Sequence, residues 1–320
     1  MVSGIHLKIL ACAALAGFTA GSGTQLTLHT VRESKQDLKL SGMRGGALPD
    51  GGARVEGGAG KGTGPETGQG TGHGTGQGTG PGVVRYAAYA DLLRLPQTSF
   101  TAAHDSNFSR PTRLGGVSLD ALLHALGEDG KGILIAALCD DLYEAHYTEE
   151  YRRLHDPVLV LRIEGRQPAE WARTGDEGSY GPYLISHAVF KPEYRALTHV
   201  EEAQIPNGVL ELRFLDQATV LKAIAPVGEF AADSPQMQGY QLAFENCFRC
   251  HNQGEYGGRK ARRSWNTLAA IAGSDPASFR AYVKNPQAVD AKAQMPGNPD
   301  YDRATLDALT AYFRTFAGGE

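Results

Sequence analysis

Cys247-Phe248-Arg249-Cys250-His251 sets two thiols about one helical turn apart and an imidazole directly after the second. In this C-x-x-C-H spacing the thiols can add across the two vinyl groups of one haem, and the adjacent histidine is carried beneath the iron without a separate element to position it. A zinc site would need two further ligands, and residues 236–320 contain no other Cys or His. The pattern predicts one covalent haem c, attached through Cys247 and Cys250, with His251 as an axial ligand of the iron. The second axial ligand follows by elimination, because the remaining strong donor in this part of the chain is a methionine thioether. Met237 lies too close before the attachment site, whereas Met295, 44 residues after His251, sits in the turn-like stretch Gln294-Met295-Pro296-Gly297. The alternative for Met295 is a side chain filling a core gap. Met ligation leaves no vacant position at iron, which favours electron transfer over catalysis.

Other polar residues group less tightly. Cys139, Asp140, Asp141, Tyr143 and His146 follow one apolar run, and His187 and His199 flank a later segment. An Asp pair after a strand is as readily a turn, and isolated histidines are usually surface or satisfied core residues. With Cys247 and Cys250 assigned to haem, Cys139 and Cys12 remain, and no disulfide framework is implied.

The elements that must position these residues fall into two compact units behind a non-globular N-terminus. Residues 1–24 carry His6 and Lys8, the apolar stretch 9–18 and then small residues, the pattern of a secretory signal or N-terminal anchor. Residues 25–82 include a long Gly-rich stretch with Thr and Gln interleaved, which cannot bury a core and is expected to be a disordered linker. A Gly-rich coil of about 40 residues would span roughly 35 Å, as a flexible tether does. From 83 to 230 strand and helix signals mix into an α+β domain. Ser118 can cap a helix with Leu119, Leu122, Leu123 and Leu126 on one face, ending at Gly127. Segments 132–138 and 158–163 have the composition of buried strands, the latter closed by Glu164-Gly165, and 209–214 alternates apolar Leu210, Leu212 and Phe214 with charge. The sheet is expected to be mixed. From 234 to 320 helices separated by Gly and Pro form an all-α domain, with Tyr240 and Phe244 on the entering helix and Leu306, Leu309, Tyr312, Phe313 and Phe316 on the closing one.

The charge is uneven. Segment 83–232 holds 14 basic and 21 acidic residues, and 236–320 holds 10 basic and 8 acidic. The run Arg259-Lys260-Ala261-Arg262-Arg263 could be solvated, contact haem propionates or dock an acidic partner, and the acidic preceding domain makes docking within the same chain the hypothesis to test. With a formal net charge of −4 the chain has no basic excess of the kind that binds nucleic acid.

The C-terminal unit resembles the single-haem class I cytochrome c family over about residues 236–318, on Gly239 and Phe244, the C-x-x-C-H site, Asn285-Pro286, Met295-Pro296 and the aromatic last helix. The resemblance implies an all-α fold around haem c with His251 proximal and Met295 distal, and a role shuttling single electrons between redox proteins. Residues 84–215 resemble the sulfite-oxidase-like molybdopterin-binding fold, on 115–123, the strand into Cys139-Asp140-Asp141-Leu142-Tyr143, 158–165 and Gly181-Pro182-Tyr183-Leu184. In catalytic members a cysteine ligates molybdenum and basic residues grip the pterin phosphate. Here the arginine that often follows Gly-Pro is replaced by Tyr183, and no lysine stands near Thr198-His199-Val200. The expectation is a periplasmic mono-haem electron carrier, secreted or tethered to the membrane at its N-terminus, whose middle domain is a degenerate docking module. The alternative is a molybdopterin enzyme passing substrate electrons to its own haem, with Cys139 as the metal ligand.

Overall fold

The computed structural model describes residues 25–42, 83–171 and 180–317. The signal or anchor at 1–24 and the Gly-rich run after Gly42 lie outside these residues.

One mixed sheet of nine strands dominates the first half of the fold. Its long strand β11 (Asn207–Asp216) pairs antiparallel with β5 (Ile133–Cys139) and β8 (Tyr183–Ser186), and parallel with β1 (Leu38–Ser41). From β8 the sheet continues antiparallel through β7 (Val158–Ile163) and β4 (Thr112–Ser118) to β3 (Thr98–Ala102). β2 (Arg85–Ala87) closes the other edge against β1, and β6 (Glu144–Tyr147) forms a hairpin with β5. A separate short ribbon joins β9 (Arg195–Ala196) and β10 (His199–Val200). The expected mixed sheet is thus present.

Several local expectations hold for identifiable reasons. Ser118 accepts a hydrogen bond from the Ala121 N–H and caps α2 (Leu119–Ala125), and Gly127 follows at φ +79°, where a side chain is disfavoured. β7 ends at Glu164 and Gly165, both with positive φ. The alternation in β11 is broken by a bulge between Val209 and Glu211, which leaves Leu210 half-buried and turns Glu211 inward. Glu211 is satisfied there by Lys39 at 2.8 Å and by the Ser41 hydroxyl, both on β1.

That strand corrects the assignment of 25–82 to a disordered linker. Leu26, Leu38 and Leu40 are buried, and His29 bridges to Tyr86. Four residues with period-2 alternation are too short a signal to stand out beside a Gly-rich run, and their pairing with a strand some 170 residues away is invisible locally.

Beyond β11, α4 (Gln217–Ala223) leads into helices alone: α5 (Pro235–Leu242), α6 (Trp265–Ser274), α7 (Pro276–Lys284), α8 (Pro286–Val289) and α9 (Arg303–Arg314). Ser234, Ser264, Asp275, Asn285 and Asp302 each cap the helix that follows. Helices α5 and α9 meet at Gly239, where a Cβ would sit 2.2 Å from the Ala308 carbonyl oxygen. Only glycine permits that approach. The helices do not form a core of their own. Leu134, Ala136, Ala196, Val220 and Ile224 from the sheet half pack in one cluster with Phe248, Trp265, Tyr312 and Phe313.

Candidate functional site

Helix α5 runs into a wider π turn over Ala243–Cys247, closed by a hydrogen bond from the Phe248 N–H to the Ala243 carbonyl at 2.9 Å. Such single wide turns are concentrated at functional sites because they re-aim the side chains that follow. Cys250 N–H and His251 N–H then both return to the Cys247 carbonyl, at 3.1 and 2.8 Å. The motif is therefore one folded turn with both thiols free and half-buried. Burial pushes the Cys247 thiol up to about 12, with Cys250 adding to the rise, and it pushes Cys250 up as well.

His251 is buried, and its Nδ1 lies 2.6 Å from the Arg263 carbonyl oxygen. A carbonyl can only accept, so Nδ1 carries the proton and the Nε2 lone pair is available. Burial also depresses the imidazole pKa, which favours the neutral form. The basic run after the motif thus contributes a main-chain acceptor as well as charge.

Met295 is half-buried in the loop after α8, and the Gln287 side-chain amide donates to the carbonyls of Ala293 at 3.0 Å and Met295 at 2.9 Å. Met237 sits in the first turn of α5, its N–H donated to the Ser234 hydroxyl.

The β5–β6 hairpin covers the two residues between the cysteines. The Glu144 N–H donates to the Arg249 carbonyl, and the Arg259 N–H donates to the Leu142 carbonyl, both at 2.9 Å. The His146 ring stacks on Phe248 with centroids 4.6 Å apart and planes 25° apart. Lys260 pairs with Asp141 and lies over the Tyr143 ring at 5.9 Å. The expected docking of the basic run on the sheet half is therefore realised through Lys260, while Arg263 instead covers Tyr282 at 4.7 Å.

The remaining candidates separate into three places. Cys139 ends β5 with 2% exposure; burial, then Asp141 and Asp140, raise its thiol far above the ordinary value. Asp140 packs against Gly208, and Asp141 accepts from the Tyr143 N–H, so the Asp pair is the turn it resembled. His187 is enclosed with Tyr151, whose hydroxyl lies 3.1 Å from its Nε2, and burial followed by the neighbouring His155 lowers its pKa to about 3. His199 lies on the C-x-x-C-H side, with Nε2 at 3.2 Å from Glu245 and its ring against Tyr301. Asn246 donates to the Tyr301 hydroxyl at 2.6 Å. Among the described residues no group of three or more His, Cys, Asp or Glu could hold a metal ion.

Sequence reasoning passed over Arg249. Its side chain is 12% exposed, with Nη1 3.5 Å from Glu202, and its Nε and Nη2 are buried with no hydrogen-bond partner among the described residues. The middle positions of C-x-x-C-H are free to vary in the pattern, so nothing flagged a buried cation there.

No family model and no curated protein matches the chain. Among solved structures it is similar to the sulfane dehydrogenase SoxCD from Paracoccus pantotrophus, at 18% identity and a TM-score of 0.28. The match covers 42% of this chain and 35% of that one, so the chain spans about a third of that structure's length. A likeness of this degree carries no inference about activity, and the chain's own residues carry the reading that follows.

Proposed function

We propose that this chain is a secreted electron-transfer protein bearing one haem c on Cys247 and Cys250, ligated by His251 and Met295, with the sheet half as its docking module. The observation that carries the reading is the state of His251 within the folded C-x-x-C-H turn. Its Nδ1 proton is committed to the Arg263 carbonyl at 2.6 Å, which orients the ring and leaves Nε2 as a donor to iron. Two unpaired thiols one turn away fit covalent attachment, in which each S–H adds across a vinyl group with no leaving group. When bound, the haem supplies one-electron exchange between ferric and ferrous iron. The chain's part is to orient the imidazole, to hold the Met295 loop through Gln287, and to keep water from the attachment turn with Phe248 and Trp265, both fully buried.

A second reading, a molybdopterin oxidoreductase feeding its own haem, is favoured by one observation. The Cys139 N–H donates to the Tyr143 carbonyl in the same hairpin turn whose Leu142 carbonyl accepts from Arg259, both at 2.9 Å, so the candidate metal ligand lies close to the C-x-x-C-H motif. Against it stand the burial of Cys139 and the carboxylates beside it, which oppose the thiolate a metal requires.

Metal analysis of protein purified from a host that matures both cofactors separates the two. One iron per chain with negligible molybdenum is the expected result. Near-equal iron and molybdenum would replace this reading with the enzyme, and absence of iron would sink both.

A further inference from the structure

Arg249 sits between the two attachment cysteines, yet its guanidinium faces the sheet half. It is held charged at any accessible pH, and a cation out of water is costly unless fully paired. Its pairing is spread over several groups. Glu202 is 3.5 Å from Nη1, but that carboxylate is 57% exposed and therefore screened by solvent. Glu245, the nearer buried carboxylate in sequence, is engaged with His199 at 3.2 Å. Among the described residues Nε and Nη2 lack a well-formed hydrogen bond, although the Tyr143 phenol and Glu245 lie near enough to favour the charge. Packing alone does not account for this arrangement, since an apolar residue would fill the space without burying a charge that needs Tyr143, Glu245 and Glu202 around it.

The main chain shows how the charge is kept there. The Arg249 carbonyl is fixed by the Glu144 N–H, and Gly258 approaches it so closely that a Cβ would collide with the carbonyl oxygen. The hairpin and the loop after the motif thus hold the backbone of Arg249 from two sides, independently of its side chain.

We propose that Arg249 is a potential-tuning residue through which the sheet half sets the reduction potential of the haem, a role that rests on the haem reading of the C-x-x-C-H motif. Oxidation adds one positive charge at the iron. A buried cation in the attachment turn opposes that change and stabilises the ferrous state, and Glu202 on the sheet half moderates the effect from the rim.

The test is the midpoint potential of full-length haem-loaded protein, measured by spectroelectrochemical titration at one pH and salt. Arg249→Gln should lower the potential. Arg249→Lys, which keeps the charge but not the planar fork, should stay near the parent, and Glu202→Gln should raise it. If Arg249→Gln and Arg249→Lys shift alike while Glu202→Gln is silent, the residue acts by packing and the proposal is overturned. Should Arg249→Gln fail to fold, Glu202→Gln decides by itself, because it removes one rim carboxylate and leaves the main-chain lock intact. A preparation without iron would overturn the haem reading. An iron-bearing protein whose potential ignores these substitutions would overturn only the tuning role.

Discussion

Replacing Tyr312 by Phe removes one oxygen atom that ties three elements together. The Tyr312 hydroxyl accepts from Trp265 Nε1 at 3.1 Å and donates to the Ile224 carbonyl, so it joins α9 to α6 and to the end of α4. Tyr312 and Trp265 are fully buried, which means that water cannot replace what the hydroxyl supplied. Each lost hydrogen bond is worth about 0.5–1.5 kcal/mol net, and each stranded buried group adds a desolvation penalty of the order of 1 kcal/mol. The ring remains, so no cavity term enters. The expected cost of Tyr312→Phe is about 3–5 kcal/mol, or a fall in Tm of roughly 2–4 °C per kcal/mol for a chain of this size. Urea denaturation followed by far-UV circular dichroism measures it. Trp265→Phe, alone and combined with Tyr312→Phe, completes a double-mutant cycle, and a coupling of at least about 0.5 kcal/mol is expected for residues in direct contact. A loss below about 1 kcal/mol with additive single effects would refute the idea that this hydroxyl is a tie between the sheet half and the helices.

Three further outcomes are expected. His187 is neutral when folded, with a pKa lowered to about 3. The unfolded chain binds the extra proton first, so stability falls as pH drops from about 6.5 toward 3, with a slope approaching about 1.4 kcal/mol per pH unit; His187→Gln should flatten that limb of the stability-against-pH curve measured by denaturant titration. Cys139→Ser should cost about 1–2 kcal/mol by placing a hydroxyl in an apolar site without changing iron content; loss of a second metal on substitution would instead make Cys139 a ligand. Asp141→Asn should weaken the docking of the basic run by no more than about 1 kcal/mol, because the Asp141–Lys260 pair is half-exposed, and raising salt should reproduce the effect in the parent protein but not in the variant.

Local grammar made much of the fold legible. Ser118 before four leucines, the β7 run closed by Glu164-Gly165, and the caps of the C-terminal helices each act within a few residues, so composition and spacing report them. What escaped was set by contacts between distant residues. The strand at 38–41 is an edge of β11, and Glu211 is an interior residue only because Lys39 and Ser41 come to meet it. The C-x-x-C-H motif was visible because its residues are neighbours in the sequence. Arg249 was not, since its surroundings come from Glu202 on one side and the hairpin on the other. The division into two independent domains followed a real change of composition at about residue 234, yet the apolar cluster containing Leu134, Val220, Trp265 and Tyr312 crosses it.

Leu40 and Arg85 are cross-strand partners, although more than forty residues separate them in the chain. The described residues on either side of positions 43–82 therefore stand at neighbouring points of the sheet. A sequence joining two ends so close together is expected to behave as an insertion site. For a Gly-rich run, closing the same two ends with about five residues in place of about forty saves only about 2 kcal/mol of loop entropy, at about 0.6 kcal/mol for each halving. The protein should therefore tolerate excision of the run, or its replacement by an unrelated folded domain whose own ends lie close together. The sheet half and the helices packed on it would register the change only as a modest shift in Tm.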